Sequence, residues 1–385
     1  MQSAADFIDG LLGDRSAFRS RAAKGSHILR SHIDPTEVLT WHELNRIINY
    51  SGIPRHLVRD SVRTNEATMQ QIVQLVPEGA TIQLESVAPF CPRLADIAGE
   101  LEVALGGEEV DVNVYLAPSK DHSAFGVHHD VVDVFVLQIA GRKHWRVFEP
   151  IIQNPIWYLK SHNYEVDESH LILDVNLEPG DVLYVRRGDP HLVQCVGDEP
   201  SLHVNLRIIP TTRKSFLDWL VQEAAERAEF RSALPYALDG KDITEDRISW
   251  VSALSADFAT WVLDQDPGTL LDNYFAQRTA HTQQGIVSLP DLVVGPIETF
   301  DSSTGVCMAH PQLRARIAKG TLFALGQEIE LPAETLLAIE HLTSHPSQSS
   351  SALELAELYP AVPVDALVRV MKELVALSIL RRAEI

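Results

Sequence analysis

Cysteine is scarce: Cys91, Cys195 and Cys307 are the only three in 385 residues. An odd number at wide spacing excludes a disulfide frame and a Cys-paired zinc finger, and suits a reducing cytosol. No apolar run reaches about 18 residues, so no membrane-spanning helix is expected. The opening stretch (MQSAADFIDGLLGDRSAF) has no basic region followed by an apolar core, so no secretory leader is expected either. Positive charge is also in short supply. Against 53 Asp and Glu stand 32 Lys and Arg, a formal net charge of −21. So acidic a chain repels a phosphate backbone, and direct DNA binding is not expected. Also missing are a phosphate-cradling glycine loop, a Ser-His-Asp set and a paired Cys motif.

Histidine, by contrast, is plentiful, with 16 residues. A single His-x-Asp triplet therefore says little. The run Gly126-Val127-His128-His129-Asp130 gains weight from His191 in Arg187-Gly188-Asp189-Pro190-His191. Two imidazoles and a carboxylate, split as a close pair and a distant third, match the facial triad of non-haem Fe(II) oxygenases. Such a triad covers one face of the metal and leaves the other for a bidentate co-substrate and O2. The same donors would also accept manganese, cobalt or zinc.

Local pattern supports the pairing. Val131 to Ile139 (VVDVFVLQI) is apolar, β-branched and aromatic, and predicts a buried strand. In extended chain, residues two apart share a side, so His128 and Asp130 converge while His129 points away. His129, His144 and His122 are expected to be surface or packing residues. A second strand, Asp181 to Val185, is entered through Pro179-Gly180 and left through Arg187-Gly188 before His191. Lys143 falls on one strand face with Trp145 and Val147. An inward lysine among apolar neighbours needs an anionic partner; the other reading is a lysine snorkelling to solvent. Ser201 to Ile209 alternates, with Leu202, Val204, Leu206 and Ile208 on one face and Ser201, His203, Asn205 and Arg207 on the other. The polar face either looks into the site, where His203 and Asn205 contact co-substrate or substrate, or lies wetted on an outer strand.

These segments also carry a likeness. Asn113-Val114-Tyr115, His128-x-Asp130, Asp133-Val134-Phe135-Val136-Leu137-Gln138 and Gly141-Arg142-Lys143-His144-Trp145-Arg146 follow in order. Leu177-Glu178-Pro179-Gly180-Asp181-Val182-Leu183-Tyr184 and Arg187-Gly188-x-x-His191 complete the set. Together they resemble the JmjC-type, cupin-like 2-oxoglutarate oxygenases, above all the ribosomal oxygenases. The resemblance implies an α+β protein with a double-stranded β-helix, or cupin-like jelly-roll, core. It implies Fe(II) on His128, Asp130 and His191, with 2-oxoglutarate and O2 as co-substrates. Lys143 falls where the family pairs a basic residue with the distal carboxylate of 2-oxoglutarate, a role that suits a fixed cation. Asn113 and Tyr115 match positions lining the co-substrate and substrate pocket. Arg186, where a proline is usual, and Asp189-Pro190 depart from the family pattern.

The chain divides into a mostly helical cover over 1–75, the catalytic barrel over 76–211, a helical region over 212–300 and a winged-helix-like module over 306–385. In the resembled family the helical region forms a dimer interface; the other reading is a layer within the monomer. The last module holds seven Lys and Arg against nine Asp and Glu, so a DNA-reading regulator is disfavoured and a protein-contact or stability element is expected. The expected activity is cytoplasmic hydroxylation of a side chain in a protein or peptide, with basic ribosomal proteins as one substrate class that an acidic mouth would steer. The alternatives are a tailoring hydroxylase of a peptide natural product or carrier-bound amino acid, and a non-catalytic metal-binding scaffold. The triad does not separate hydroxylation from demethylation.

Overall fold

A computed structural model describes residues 2–29, 33–50, 52–118, 124–159, 164–236, 243–281, 299–309, 313, 315–325, 327–346 and 348–383. His122 lies outside the described residues. Up to residue 209 the strands are β1 (His27–Ile28), β2 (Arg55–Arg59), β3 (Val62–Thr64), β4 (Thr81–Leu84), β5 (Glu109–Ala117) and β6 (Asp133–Ala140). They continue as β7 (Arg142–Phe148), β8 (Leu171–Leu177), β9 (Val182–Val185), β10 (His191–Val196) and β11 (Ser201–Ile209). Two antiparallel sheets result, in the orders β1-β9-β6-β11-β5-β4-β2-β3 and β10-β7-β8.

Period-two alternation assigns the faces of these strands. On β9, Val182 and Tyr184 join the main core while Leu183 and Val185 face the second sheet. On β6, Phe135 and Leu137 take the first side, and Val134 and Val136 the second. The outer face of the large sheet is covered by α1 (Ala4–Leu12), α2 (Arg15–Ala22), α3 (Trp41–Ile47), α4 (Met69–Leu75) and α5 (Pro92–Ala104). Phe7, Ile8 and Leu11 of α1 and Leu94, Ile97 and Leu101 of α5 pack into the core formed with β5, β6 and β11. A Thr40–Glu43 capping box starts α3.

Three sequence expectations shift. The large sheet reaches back to β2 and β3, so residues before 76 supply strands as well as helical cover. The strand expected from Val131 begins at Asp133, leaving His128 and Asp130 in irregular chain just before it. β11 is not an outer strand: it sits between β5 and β6, and the wetted-edge reading falls. The β6–β7 turn explains one glycine. Gly141 has φ +61°, and a Cβ there would meet the Pro200 carbonyl oxygen at 2.3 Å, so no other residue fits unstrained.

Beyond β11 come α6 (Arg213–Ala224), α7 (Thr244–Leu263) and α8 (Pro267–His281), joined by a cluster of Trp219, Leu220 and Tyr274 with Phe258 and Trp261 of α7 packed against it. The C-terminal part has its own core, including Leu322, Ile339, Leu367 and Leu374. In it β12 (Val306–Met308) pairs with β16 (Leu380–Arg382), and β13 (Ala315–Ala318), β14 (Thr321–Ala324) and β15 (Gln327–Glu330) form a small sheet. Helices Leu336–Ser344, Ala352–Leu358 and Val364–Ala376 complete it. Among the described residues no helix is long and apolar enough to cross a membrane.

Candidate metal centre

His128, Asp130 and His191 each offer a ligand atom, and these atoms lie within 4.8 Å of one another. Main-chain hydrogen bonds hold the group together. His128 and His191 form a two-way bridge, N to O at 3.2 and 2.8 Å, and the Gly188 amide donates to the Asp130 carbonyl at 2.9 Å. The third residue is therefore set by the chain leaving β9 and entering β10, as its spacing required.

The donor chemistry can be tested for fit to a divalent metal. His128 Nδ1 lies 2.9 Å from the Gly126 carbonyl, and His191 Nδ1 lies 3.1 Å from the Asp189 carbonyl. A carbonyl only accepts, so each ring carries a proton on Nδ1, which leaves Nε2 as the atom available to a metal. Asp130 Oδ2 stands 3.9 Å from His191 Nε2. Two imidazoles oriented through their Nδ1 bonds and a carboxylate are a donor set for a divalent transition metal. His129 is a packing residue, fully buried, with Nε2 3.1 Å from the Leu159 carbonyl and its ring stacked on Tyr164. His144 pairs with Asp174 at 2.5 Å on the outer side of β7.

The triad opens into a cavity of about 370 Å³ between the two sheets. Lys143 lines it and is 6% exposed. Burial holds its ammonium below the usual lysine pKa, with a small opposing effect from Cys195. No ion pair or hydrogen bond to its side chain exists among the described residues. The snorkelling alternative is thus excluded by burial. An unpartnered buried cation needs an anion from outside the chain.

Asn113, Tyr115, His203 and Asn205 line the same cavity. The register explains why: Asn205 is opposite Asn113, and His203 opposite Tyr115, on one face of the sheet. The His203 and Tyr115 rings stack 4.9 Å apart at 5°. Burial and then the nearby Lys143 charge push the His203 pKa well below the usual histidine value, so the ring is neutral. His203 Nδ1 and Asn205 Oδ1 are buried without partners among the described residues. Burial raises the Tyr115 hydroxyl to about 12.

Sequence reasoning missed the far wall. Gln83 and Glu85 also line the cavity, and Gln83 donates to Glu85 at 2.8 Å and to Tyr115 at 3.1 Å. Glu85 in turn accepts from Arg63 at 2.9 Å. Arg207, on the polar face of β11 with His203 and Asn205 as the alternation placed it, lines the cavity too, paired with Asp111 at 2.7 Å. Polar residues at 81, 83 and 85, alternating with Ile82 and Leu84, were the available signal.

Comparison with known proteins agrees with this geometry. Residues 89–215 match the JmjC domain family. Ribosomal oxygenase 1 of Danio rerio is 34% identical over 167 residues, 41% of this chain and 30% of that protein. The human ribosomal oxygenase 1 is 36% identical over 137 residues, 34% of this chain and 21% of that one. A bifunctional lysine-specific demethylase and histidyl-hydroxylase NO66 from Culex quinquefasciatus is 34% identical over 172 residues, 42% and 26% of the two chains. The match thus spans less than a third of each of these relatives. In fold the likeness is much longer. YcfD, a ribosomal oxygenase from Escherichia coli solved with cobalt and 2-oxoglutarate, superposes with a TM-score of 0.66 at 17% identity. That superposition covers 97% of this chain and 99% of YcfD.

Proposed function

We propose that this chain, a JmjC-domain protein of the ribosomal oxygenase kind, is an Fe(II)- and 2-oxoglutarate-dependent dioxygenase that hydroxylates an amino-acid side chain in a protein. The observation that carries the reading is a joint one. Three ligating atoms within 4.8 Å share a cavity with a buried lysine that has no partner among the described residues. A scaffold that only bound metal would leave Lys143 without a purpose.

In this reading His128, Asp130 and His191 hold Fe(II), and Lys143 holds the far carboxylate of 2-oxoglutarate by a charge-assisted hydrogen bond. Bound iron with 2-oxoglutarate and O2 supplies the oxidising power for C–H hydroxylation. The protein's work is placement. The Nδ1–carbonyl bonds fix the two imidazoles, and the apolar wall of Val134, Val136, Trp145 and Val193 keeps water from the reacting centre. His203 and Asn205 offer polar atoms to the co-substrate, and Asn113 and Tyr115 to co-substrate or substrate.

The substrate class is a protein side chain, with basic ribosomal proteins favoured by the names of the relatives and by the net charge of −21. A tailoring hydroxylase acting on a peptide or carrier-bound amino acid is the second reading. The three cysteines are buried and form no disulfide with one another, which fits the cytoplasm. Homodimerisation is supported by α7, a 20-residue helix with no buried residue that exposes Ile248, Val251, Leu254 and Leu263. The C-terminal helices and short strands fit a winged-helix-like module serving protein contact or stability.

The test combines two readouts. Anaerobic Fe(II) and 2-oxoglutarate should give a visible charge-transfer band in the wild type, and none in His128→Ala. Ribosomal proteins from a deletion strain should lack the mass of one oxygen on a specific member. A well-folded, iron-loaded wild type without the band would sink the dioxygenase reading, and unchanged ribosomal masses would move the substrate to the tailoring class.

A further inference from the structure

A second cleft, of about 440 Å³, lies on the other side of the large sheet from the metal-bearing cavity, and the two share no lining residue. Strand alternation separates them. Asp133 and Tyr184 face the second cleft, while their neighbours Val134 and Val185 face the first. Three arginines meet there: Arg19 from α2, and Arg186 and Arg187 from the turn after β9. Phe18 anchors α2 by stacking on Phe135 and meeting Tyr184 edge-on, each with ring centroids 5.4 Å apart, and so sets the neighbouring Arg19 over the cleft.

The three guanidinium groups are not equally satisfied. Arg186 is consumed by structure: it grips the buried Asp189 carboxylate at 2.8 and 3.1 Å and the Ala23 carbonyl at 3.1 Å. Arg187 reaches Asn154 at 3.2 Å through Nη2, whereas its Nη1 is buried without an acceptor among the described residues. Arg19 is exposed and has no ion pair among the described residues. Asp133 is the one carboxylate among the cleft's lining residues, and burial raises its pKa despite the Arg187 amide bond. The surroundings add to the charge. Residues 15–24 carry Arg15, Arg19, Arg21 and Lys24 and no acid, in a chain whose acids outnumber its bases by 53 to 32.

We propose that this cleft binds a phosphate group, with the Arg187 fork as its main contact and Arg19 closing over it. A guanidinium with a dry, unsatisfied N–H suits a tetrahedral oxyanion that accepts two parallel bonds. The site stands directly behind the metal-holding turn. The Arg187 amide donates to Asp133 at 2.8 Å, and the next amide, Gly188, donates to the Asp130 carbonyl. The phosphate belongs either to a small phosphorylated molecule or to an RNA backbone drawn to this locally basic patch against the chain's overall negative charge.

Inorganic phosphate titrated calorimetrically into the full-length protein, with chloride matching ionic strength, tests the proposal. Binding should persist in Lys143→Ala, which removes the other unpartnered cation. It should weaken about tenfold or more in Arg187→Gln, the scale of a lost charge-assisted hydrogen bond. Arg19→Gln, an exposed helix substitution that leaves folding intact, should weaken it as well. Arg187→Lys, which keeps charge but loses the fork, should not restore wild-type affinity. Equal phosphate affinity in wild type and both glutamine variants, or loss in Lys143→Ala alone, overturns the site. A short single-stranded RNA identifies the source. Competition with phosphate and a steep salt dependence assign the backbone, and absence of competition assigns a small phosphorylated ligand.

Discussion

Replacing Lys143 by methionine should make the protein more stable and less able to bind its co-substrate. Lys143 is 6% exposed, on the strand face it shares with Trp145 and Val147, with no ion pair among the described residues. Leaving a buried polar group unsatisfied costs about 1–3 kcal/mol, and more when it is charged. Methionine has a similar length and an adaptable apolar chain, so it can fill the same slot. The ligand-free variant should therefore gain about 1–3 kcal/mol, read as a higher urea midpoint at unchanged slope. The gain should depend on pH. Burial lowers the folded-state pKa of Lys143 below 10.5, so between that value and 10.5 the unfolded chain holds more protons than the folded one. Wild-type stability then rises with pH through this window. The variant's advantage is full below the lowered pKa and vanishes as pH passes the unfolded value. Affinity for 2-oxoglutarate moves the other way. Loss of a charge-assisted contact of about 1.5–3 kcal/mol weakens binding about 10- to 150-fold, measured by anaerobic titration of the iron-loaded protein. A ligand-free variant less stable than wild type, or one binding 2-oxoglutarate equally well, would refute the assignment of Lys143 as a cation waiting for its anion.

Removing one of three ligands in His191→Ala should reduce retained iron after dialysis to background, by elemental analysis; a stoichiometric metal content would show that the triad is not the binding set. Asp189→Ala takes away the carboxylate that accepts from Ser26 and Arg186; it should cost about 3–5 kcal/mol, as stranding a buried partner does, in chemical denaturation. Gly141→Ala puts a Cβ against the Pro200 carbonyl at a left-handed φ, and a loss of at least about 1–3 kcal/mol is expected, with no loss counting against the turn geometry. Leu254→Glu on α7 should convert a dimer to a monomer in sedimentation velocity, and an unchanged wild-type monomer would instead make the helical region a layer within one chain.

The metal triad was legible because its three residues are set by main-chain geometry close in sequence to clear strand and turn signals. His128 and Asp130 precede a β-branched run, and His191 follows a Pro-Gly-entered strand and an Arg-Gly turn. Lys143 was legible for a related reason: a two-residue period puts it on the face of Trp145 and Val147, and the structure buries all three. The strand expected from Val131 begins two residues later, at Asp133, so the pair lies further from regular strand than the pattern implied. What brings the pair to His191 is a local bridge and an amide from Gly188, and no side-chain periodicity reports such contacts.

The far wall of the cavity and the second cleft were hidden for a different physical reason. Gln83 matters because β4 registers it against Tyr115, and that pairing joins residues 32 positions apart with no intervening turn signal to fix it. Arg187 matters because the outer face of the sheet brings α2 over the end of β9, a long-range packing event decided by Phe18 finding Phe135 and Tyr184. Ligands that border strong strand and turn signals can be read from composition and spacing. Subsites assembled from strands and helices far apart in the chain depend on register and packing, which one sequence constrains only through the sum of its apolar contacts. The metal-ligating pattern is therefore legible early for this fold, and the polar wall of Arg63, Gln83, Glu85 and Arg207 that lines the same cavity is legible only once those strands are paired.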